Sequence, residues 1–125
     1  MPRRRPVYLN LLAIRQPLPA IVSILHRISG ALLFFAGIPL LLWAVGASLG
    51  SDAGYAAVAG ALAHPLGKLV LLGLLWATLH HFVAGIRYLL IDLHVADDLA
   101  GARRSSAVVL VVSILLTVIL AVRLW

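Results

Sequence analysis

The sequence has no cysteine, and only 4 of its 125 residues are acidic. Without cysteine the chain can hold no disulfide, thiolate metal site or iron–sulfur cluster and can offer no thiolate nucleophile, so any metal must sit on histidine or carboxylate. Charge of either sign is scarce. Charged residues make up 11% of the chain and hydrophobic residues 63%, against about 25% and roughly 45–50% in an ordinary soluble domain. A soluble domain this short has too little interior to hide that much apolar surface, and lipid must cover the remainder. Sustained two-residue alternation is absent too, which argues against strands, and an open sheet could not satisfy its edges in a bilayer. There are no internal repeats and no glycine fingerprint for a flavin or nicotinamide dinucleotide.

What charge there is leans positive, with 10 Lys and Arg residues and a net charge of +6. In a soluble chain this would suggest nucleic acid as a partner. Here the basic residues flank apolar runs without the aromatic interleaving of a nucleic-acid surface, so they report membrane orientation and no nucleic-acid partner is expected.

Charge-free apolar runs occupy residues 28–51, 69–86 and 105–122. A run of about 18 helical residues covers roughly 27 Å, and its flanks complete a hydrocarbon core of about 30 Å. The expected fold is an all-α integral membrane protein with transmembrane helices at about 20–49, 65–92 and 104–124. Residues 1–19 then form an amino-terminal segment and 20–125 a single membrane domain. Pro17 and Pro19 punctuate the entry to the first helix, residues 50–54 break the chain after it, and Pro65 suits a first helical turn. Leu9, Leu11, Leu12 and Ile14 suffice for a brief surface-lying segment but not for a further span. Arg3, Arg4 and Arg5 would suit a signal-peptide head, yet the apolar run that follows is too long for a cleavable one, and retention as a signal anchor is expected. With Arg15 these arginines precede the first helix, Arg103 and Arg104 lie in the second loop, and Lys68 edges the first. The amino terminus is therefore expected in the cytoplasm and the carboxyl terminus outside the inner membrane.

Several polar residues interrupt the apolar pattern. Ser23, His26 and Arg27 fall in the first turns of helix one, with Ser23, Arg27 and Gly30 on one face. They offer donors to an anionic or carbonyl-bearing group near the cytoplasmic interface; an arginine there can also simply snorkel to the headgroups. In helix two, Thr78, His81, Gly85, Tyr88 and Asp92 follow one another at spacings of three or four. His81 lies roughly 16 Å from the Asp92 end, near mid-membrane, where an ionisable group is a functional candidate. Gly85, one turn away, leaves room for a flat partner. The pair fits an axial histidine beside a porphyrin face, while a hydrogen bond to a neighbouring helix is the alternative. His80 points away from His81 and reads as a helix-packing or interfacial residue, and His64 and His94 fall in loops. His26 is too near the interface to serve as a second mid-membrane ligand, so ligation by two histidines would require another chain.

Three blocks carry a resemblance: Arg5-Pro-Val-Tyr-Leu9 with Ile14-Arg15, Ser23-Ile-Leu-His26-Arg27-Ile-Ser29-Gly30, and His81-Phe-Val-Ala-Gly85-Ile-Arg87-Tyr88-Leu-Leu-Ile-Asp92. In order, separation and helical setting they resemble the cytochrome b membrane-anchor subunits of succinate dehydrogenase, the respiratory succinate:quinone oxidoreductase. Helix three matches only in length and hydrophobicity. The resemblance implies half of a heterodimeric anchor bundle, with His81 as one axial ligand of haem b and the other supplied by a second small anchor subunit. It also implies that Ser23 and Arg27 help form the ubiquinone site, and that His26 and Arg27 lie close to the haem propionates. The chain departs from the family at Tyr88, where relatives often carry histidine; tyrosine keeps a hydrogen-bonding hydroxyl, and Gly85 and Tyr88 remain candidate cofactor contacts.

The resemblance further implies that succinate is oxidised on a flavoprotein subunit and that electrons reach quinone through an iron–sulfur subunit. This chain would then contribute anchoring, one haem ligand and part of the quinone pocket, with no dicarboxylate chemistry of its own. An anchor of a quinol:fumarate reductase and a cofactor-free membrane scaffold are the alternative readings.

Overall fold

The computed structural model describes residues 10, 13–95 and 97–125. Arg3, Arg4 and Arg5, the block from Arg5 to Leu9, and Leu11 and Leu12 of the expected surface segment lie outside the described residues. The described residues form helices without strands: α1 (Leu18–Leu32), a π-helical turn (Leu33–Gly37), α2 (Ile38–Gly50), α3 (Asp52–Ala63), α4 (Pro65–Asp92) and α5 (Leu99–Leu124). Three stretches are long and apolar enough to cross a membrane: Leu18–Gly50, Pro65–Asp92 and Leu99–Leu124.

The first span starts early because Pro19 falls in the first turn of α1, where no amide partner is needed. Its π turn has a local cause. Pro39 has no N–H to give the Phe35 carbonyl, and its ring would collide with that carbonyl in a regular helix. The helix widens instead, and the Ile38 amide bonds to the Leu33 carbonyl five residues back. At 33 residues the span reaches about 50 Å, well beyond a bilayer core.

The stretch between the first two spans is itself helical, which the apolar runs alone did not suggest. The Ser51 hydroxyl caps α3 by accepting from the Gly54 amide at 3.0 Å, and Asp52 sits favourably in its first turn. Two tight corners allow the reversal. A Cβ on Gly54 would collide with the Ala47 carbonyl, and one on Gly67 with the Ala61 carbonyl. With 12 residues, α3 spans only about 18 Å and cannot cross the core.

Helix α5 starts at Leu99 rather than near Arg104, because the Asp98 carboxylate caps it by accepting from the Gly101 amide at 3.0 Å. Before it, α4 closes with His94 in the left-handed region at φ 59°. The His94 amide bonds to the Ile91 carbonyl and the Val95 amide to the Leu90 carbonyl, the paired bonds of a Schellman ending.

Helices α1, α4 and α5 pack on one another around Val22, Ala84 and Val109. The interior is small and polar: Ala77, Ser29, His80, Arg87, Ser106, Ser113 and Thr117 are buried, while Phe34, Phe35, Leu49 and Val122 face outward. This inverts the pattern of a soluble domain. Small residues let helices approach closely in lipid, where the large side chains gain nothing from burial. Serine and threonine on α5 return their protons to their own helix, Ser106 to the Ala102 carbonyl at 2.7 Å and Thr117 to the Ser113 carbonyl at 2.7 Å.

The amino-terminal end of α1, the carboxyl end of α4 and the start of α5 share one end of the bundle, where Arg87 Nε on α4 donates to Ser105 Oγ on α5 at 2.9 Å and Tyr88 on α4 meets His26 on α1. Lys68 Nζ, 5.8 Å from the Trp125 ring centroid, marks the opposite end.

Candidate functional site

Where α1 crosses α4, each helix meets the other's histidine with a glycine. A Cβ on Gly30 would fall 2.8 Å from His81 Cε1, and a Cβ on Gly85 would fall 3.8 Å from His26 Nε2 with no other atom within 4 Å among the described residues. Only glycine at position 30 admits the His81 ring this close to the α1 backbone. The result is a face-to-face pair of imidazoles, His26 and His81, with centroids 4.2 Å apart and planes 7° from parallel. Tyr88 extends the group, its ring centroid 5.1 Å from that of His26.

The hydrogen bonds settle the tautomer of His81. Its Nδ1 lies 3.0 Å from the His26 carbonyl oxygen and 3.3 Å from Ser29 Oγ. The carbonyl cannot donate, and the Ser29 hydroxyl gives its own proton to that same carbonyl at 2.9 Å. Nδ1 therefore carries the proton of the neutral ring, in which Nε2 is the lone-pair nitrogen and has no hydrogen-bond partner among the described residues. A histidine held in this way at one nitrogen and open at the other has the arrangement of a metal-ligating imidazole.

The stack sets the His26 ring at the depth of His81 rather than nearer the interface as helical spacing suggests, and it is ring geometry, not depth, that keeps the two from binding one iron. A coordinated metal lies in the plane of its imidazole, and two nearly parallel planes stacked at this distance share no such point. Nor does the chain gather a conventional ion site, since no group of three or more potential ligands among histidine, aspartate and glutamate occurs among the described residues.

The structure thus brings His26, His81, Gly85 and Tyr88 together. Ser23 and Arg27 lie beside this group on α1, Ser23 half-buried and Arg27 exposed. Neither has a hydrogen bond or ion pair among the described residues, which leaves both free to serve a ligand or headgroups. Thr78 is occupied by its own helix, donating to the Leu74 carbonyl at 2.8 Å. His80 turns into the α4–α5 contact: it is fully buried, stacks on Trp76, and places Nδ1 3.4 Å from Ser113 Oγ. Its Nε2 has no hydrogen-bond partner among the described residues. His64 caps α4, its Nδ1 accepting from the Leu66 amide at 3.2 Å, and His94 pairs with Asp97 at 3.4 Å on the surface.

Sequence reasoning did not single out Ser29. Its signal was present, because Ser29 falls on the same side of α1 as Val22 and His26 by helical spacing, but serine in an apolar helix commonly bonds only to its own backbone. Nor does spacing give Arg87 a role beyond its place in the third block. It is buried, with Nε on Ser105 and Nη2 3.4 Å from the Ala102 carbonyl.

Residues 1–120 match the family described as succinate dehydrogenase/fumarate reductase transmembrane subunit. The succinate dehydrogenase cytochrome b556 subunit of Paracoccus denitrificans is 35% identical over 115 residues, which cover 92% of this chain and 88% of that protein. The succinate dehydrogenase cytochrome b556 subunit of Coxiella burnetii is 36% identical over 126 aligned positions, spanning 100% of both chains. With a full-length relative, a family match over nearly every residue and three membrane-length helices, this chain belongs to the succinate dehydrogenase/fumarate reductase transmembrane subunit family.

Proposed function

We propose that this chain is the cytochrome b membrane anchor of a succinate:quinone oxidoreductase, with His81 as one axial ligand of a haem b and Ser23 and Arg27 as part of a ubiquinone-reduction site. The observation that carries this reading is the bond from His81 Nδ1 to the His26 carbonyl, because it turns the Nε2 lone pair into an oriented ligand in the membrane interior. A bound haem supplies one-electron transfer at that position. His26 and Arg27 would meet its propionates and Tyr88 would add a hydroxyl, while the space that Gly85 opens beside α4 is shared with the His26 ring. Since His26 and His81 exclude one another as ligands of one iron and His80 is turned away, a second small anchor subunit supplies the other axial histidine.

The remaining chemistry belongs to partners. A chain without cysteine holds no iron–sulfur cluster, and the family resemblance implies that electrons arrive from an iron–sulfur subunit that receives them from a succinate-oxidising flavoprotein. At the quinone, the Arg27 guanidinium and Ser23 hydroxyl donate hydrogen bonds to the carbonyl oxygens and favour negative charge as it develops there. The arginine-bearing end of the bundle faces the cytoplasm, where the soluble subunits dock, and residues 1–19 lead into the 20–125 membrane domain from that side.

Reduced-minus-oxidised absorption of membranes with and without this chain tests the reading. A b-type haem band that requires the chain is expected, and an unchanged spectrum would refute it.

A further inference from the structure

We infer that Ser29 and Gly30 are positioning residues for His81, setting the ring's seat and the electron density on its open nitrogen; the inference rests on the reading of His81 as a haem ligand. Three contacts support it. Gly30 allows the ring to lie where a Cβ would stand 2.8 Å from Cε1 and 3.2 Å from Nδ1. Ser29, fully buried, has its hydroxyl 3.3 Å from Nδ1. The same hydroxyl donates at 2.9 Å to the His26 carbonyl that receives the Nδ1 proton.

One carbonyl therefore serves two donors. Donation from Ser29 weakens that oxygen's pull on the His81 proton, and this outweighs the hydroxyl's own acceptance from Nδ1, which at 3.3 Å is the longer and weaker contact beside the carbonyl's 3.0 Å. Without the hydroxyl the carbonyl acts on Nδ1–H alone, the imidazole becomes the more basic ligand, and the oxidised iron is favoured. Ser29 thus raises the reduction potential of the centre, while Gly30 fixes the direction from which Nε2 reaches it. His26 contributes through its backbone as well as its ring: any residue at position 26 could supply the carbonyl, whereas the hydroxyl at 29 and the missing side chain at 30 are specific.

The test uses the purified whole complex carrying Ser29→Ala, Gly30→Ala, Ser106→Ala or His81→Ala, with haem content, potentiometric titration of the haem band and the low-spin electron paramagnetic resonance signal as readouts. Ser29→Ala is expected to keep its haem and move the midpoint to lower potential. Ser106→Ala, which removes another fully buried hydroxyl bonded only to its own helix, is expected to leave the midpoint at the parental value. Gly30→Ala is expected to lower haem content or shift the low-spin signal; where it does not assemble, Ser29→Ala alone decides. A parental midpoint in Ser29→Ala, or an equal shift in Ser106→Ala, overturns the inference. Full haem retention in His81→Ala would overturn the ligand reading itself, which is distinguishable from parental spectra in Ser29→Ala when His81→Ala has lost its haem.

Discussion

His26 and His81, 55 residues apart in sequence, are joined twice: their rings stack at 4.2 Å, and the His81 Nδ1 proton rests on the His26 carbonyl at 3.0 Å. The second contact gives the two histidines different parts. His81 is the side chain whose tautomer is fixed, and His26 is the residue whose backbone fixes it. Replacing either ring therefore has unequal consequences.

His81→Ala should abolish or greatly reduce haem b in the assembled complex, because an open coordination position would remain in apolar surroundings. His26→Ala keeps the carbonyl and should retain haem with an altered spectrum. His80→Ala should have far less effect on haem than His81→Ala, since His80 lies in the α4–α5 contact. Quantitative pyridine haemochrome assays on the three purified variants check the ranking, and a normal six-coordinate spectrum in His81→Ala would reject the ligand assignment.

The three spans were legible in the sequence because lipid makes apolar length a direct signal, and that signal does not depend on tertiary detail. The helix between the first two spans was not. Residues 50–54 read as a chain break, whereas Gly54 is needed for close approach to Ala47 and the Ser51 cap starts α3. At the site, helical spacing placed His81, Gly85 and Tyr88 on one stripe of α4 and Gly30 beside Ser23 and Arg27. Spacing within one helix cannot say which neighbour a stripe meets. The pairing of His26 with Gly85 and of Gly30 with His81 comes only from the crossing of α1 with α4, and the role of Ser29 follows from that crossing.

The ends of the chain should lie on opposite sides of the membrane. Three spans require it, and the bundle places the start of α1 with the α4–α5 turn and Trp125 with Lys68 at the other end. With Arg15, Arg103 and Arg104 near it, the first end should face the cytoplasm. Accessibility of terminal tags to an impermeant label in intact cells and in inverted vesicles checks both statements. Both tags on one side would contradict the three-span fold, and an exposed amino-terminal tag would reverse the orientation.

Arg87→Leu should loosen the α4–α5 pair. The variant removes the Nε bond to Ser105 and the Nη2 bond to the Ala102 carbonyl, and a lost hydrogen bond to a charged group is worth about 1.5–3 kcal/mol. Arg87→Lys should recover little, because an ammonium cannot reproduce the guanidinium fork. Thermal inactivation of the detergent-solubilised complex measures this. Parental thermal stability in Arg87→Leu would show that the buried guanidinium contributes nothing net to holding the helices together.

Arg27→Leu and Ser23→Ala should impair succinate-driven quinone reduction while leaving succinate oxidation by an artificial soluble acceptor nearly intact. Both residues lie on α1 beside the His26–His81 pair, at the end of the bundle that also carries Arg103 and Arg104, where a soluble electron-delivering subunit would dock. Neither side chain has a hydrogen bond or ion pair among the described residues, so their loss should disturb packing little. The arginine variant should be the more damaged, because a charge-assisted hydrogen bond to a developing oxyanion is roughly twice as strong as a neutral one. Parallel assays with a ubiquinone analogue and with the soluble acceptor separate the two activities. If Arg27→Leu assembles, keeps its haem and reduces ubiquinone at the parental rate, the guanidinium serves only the lipid headgroups and the quinone lies elsewhere.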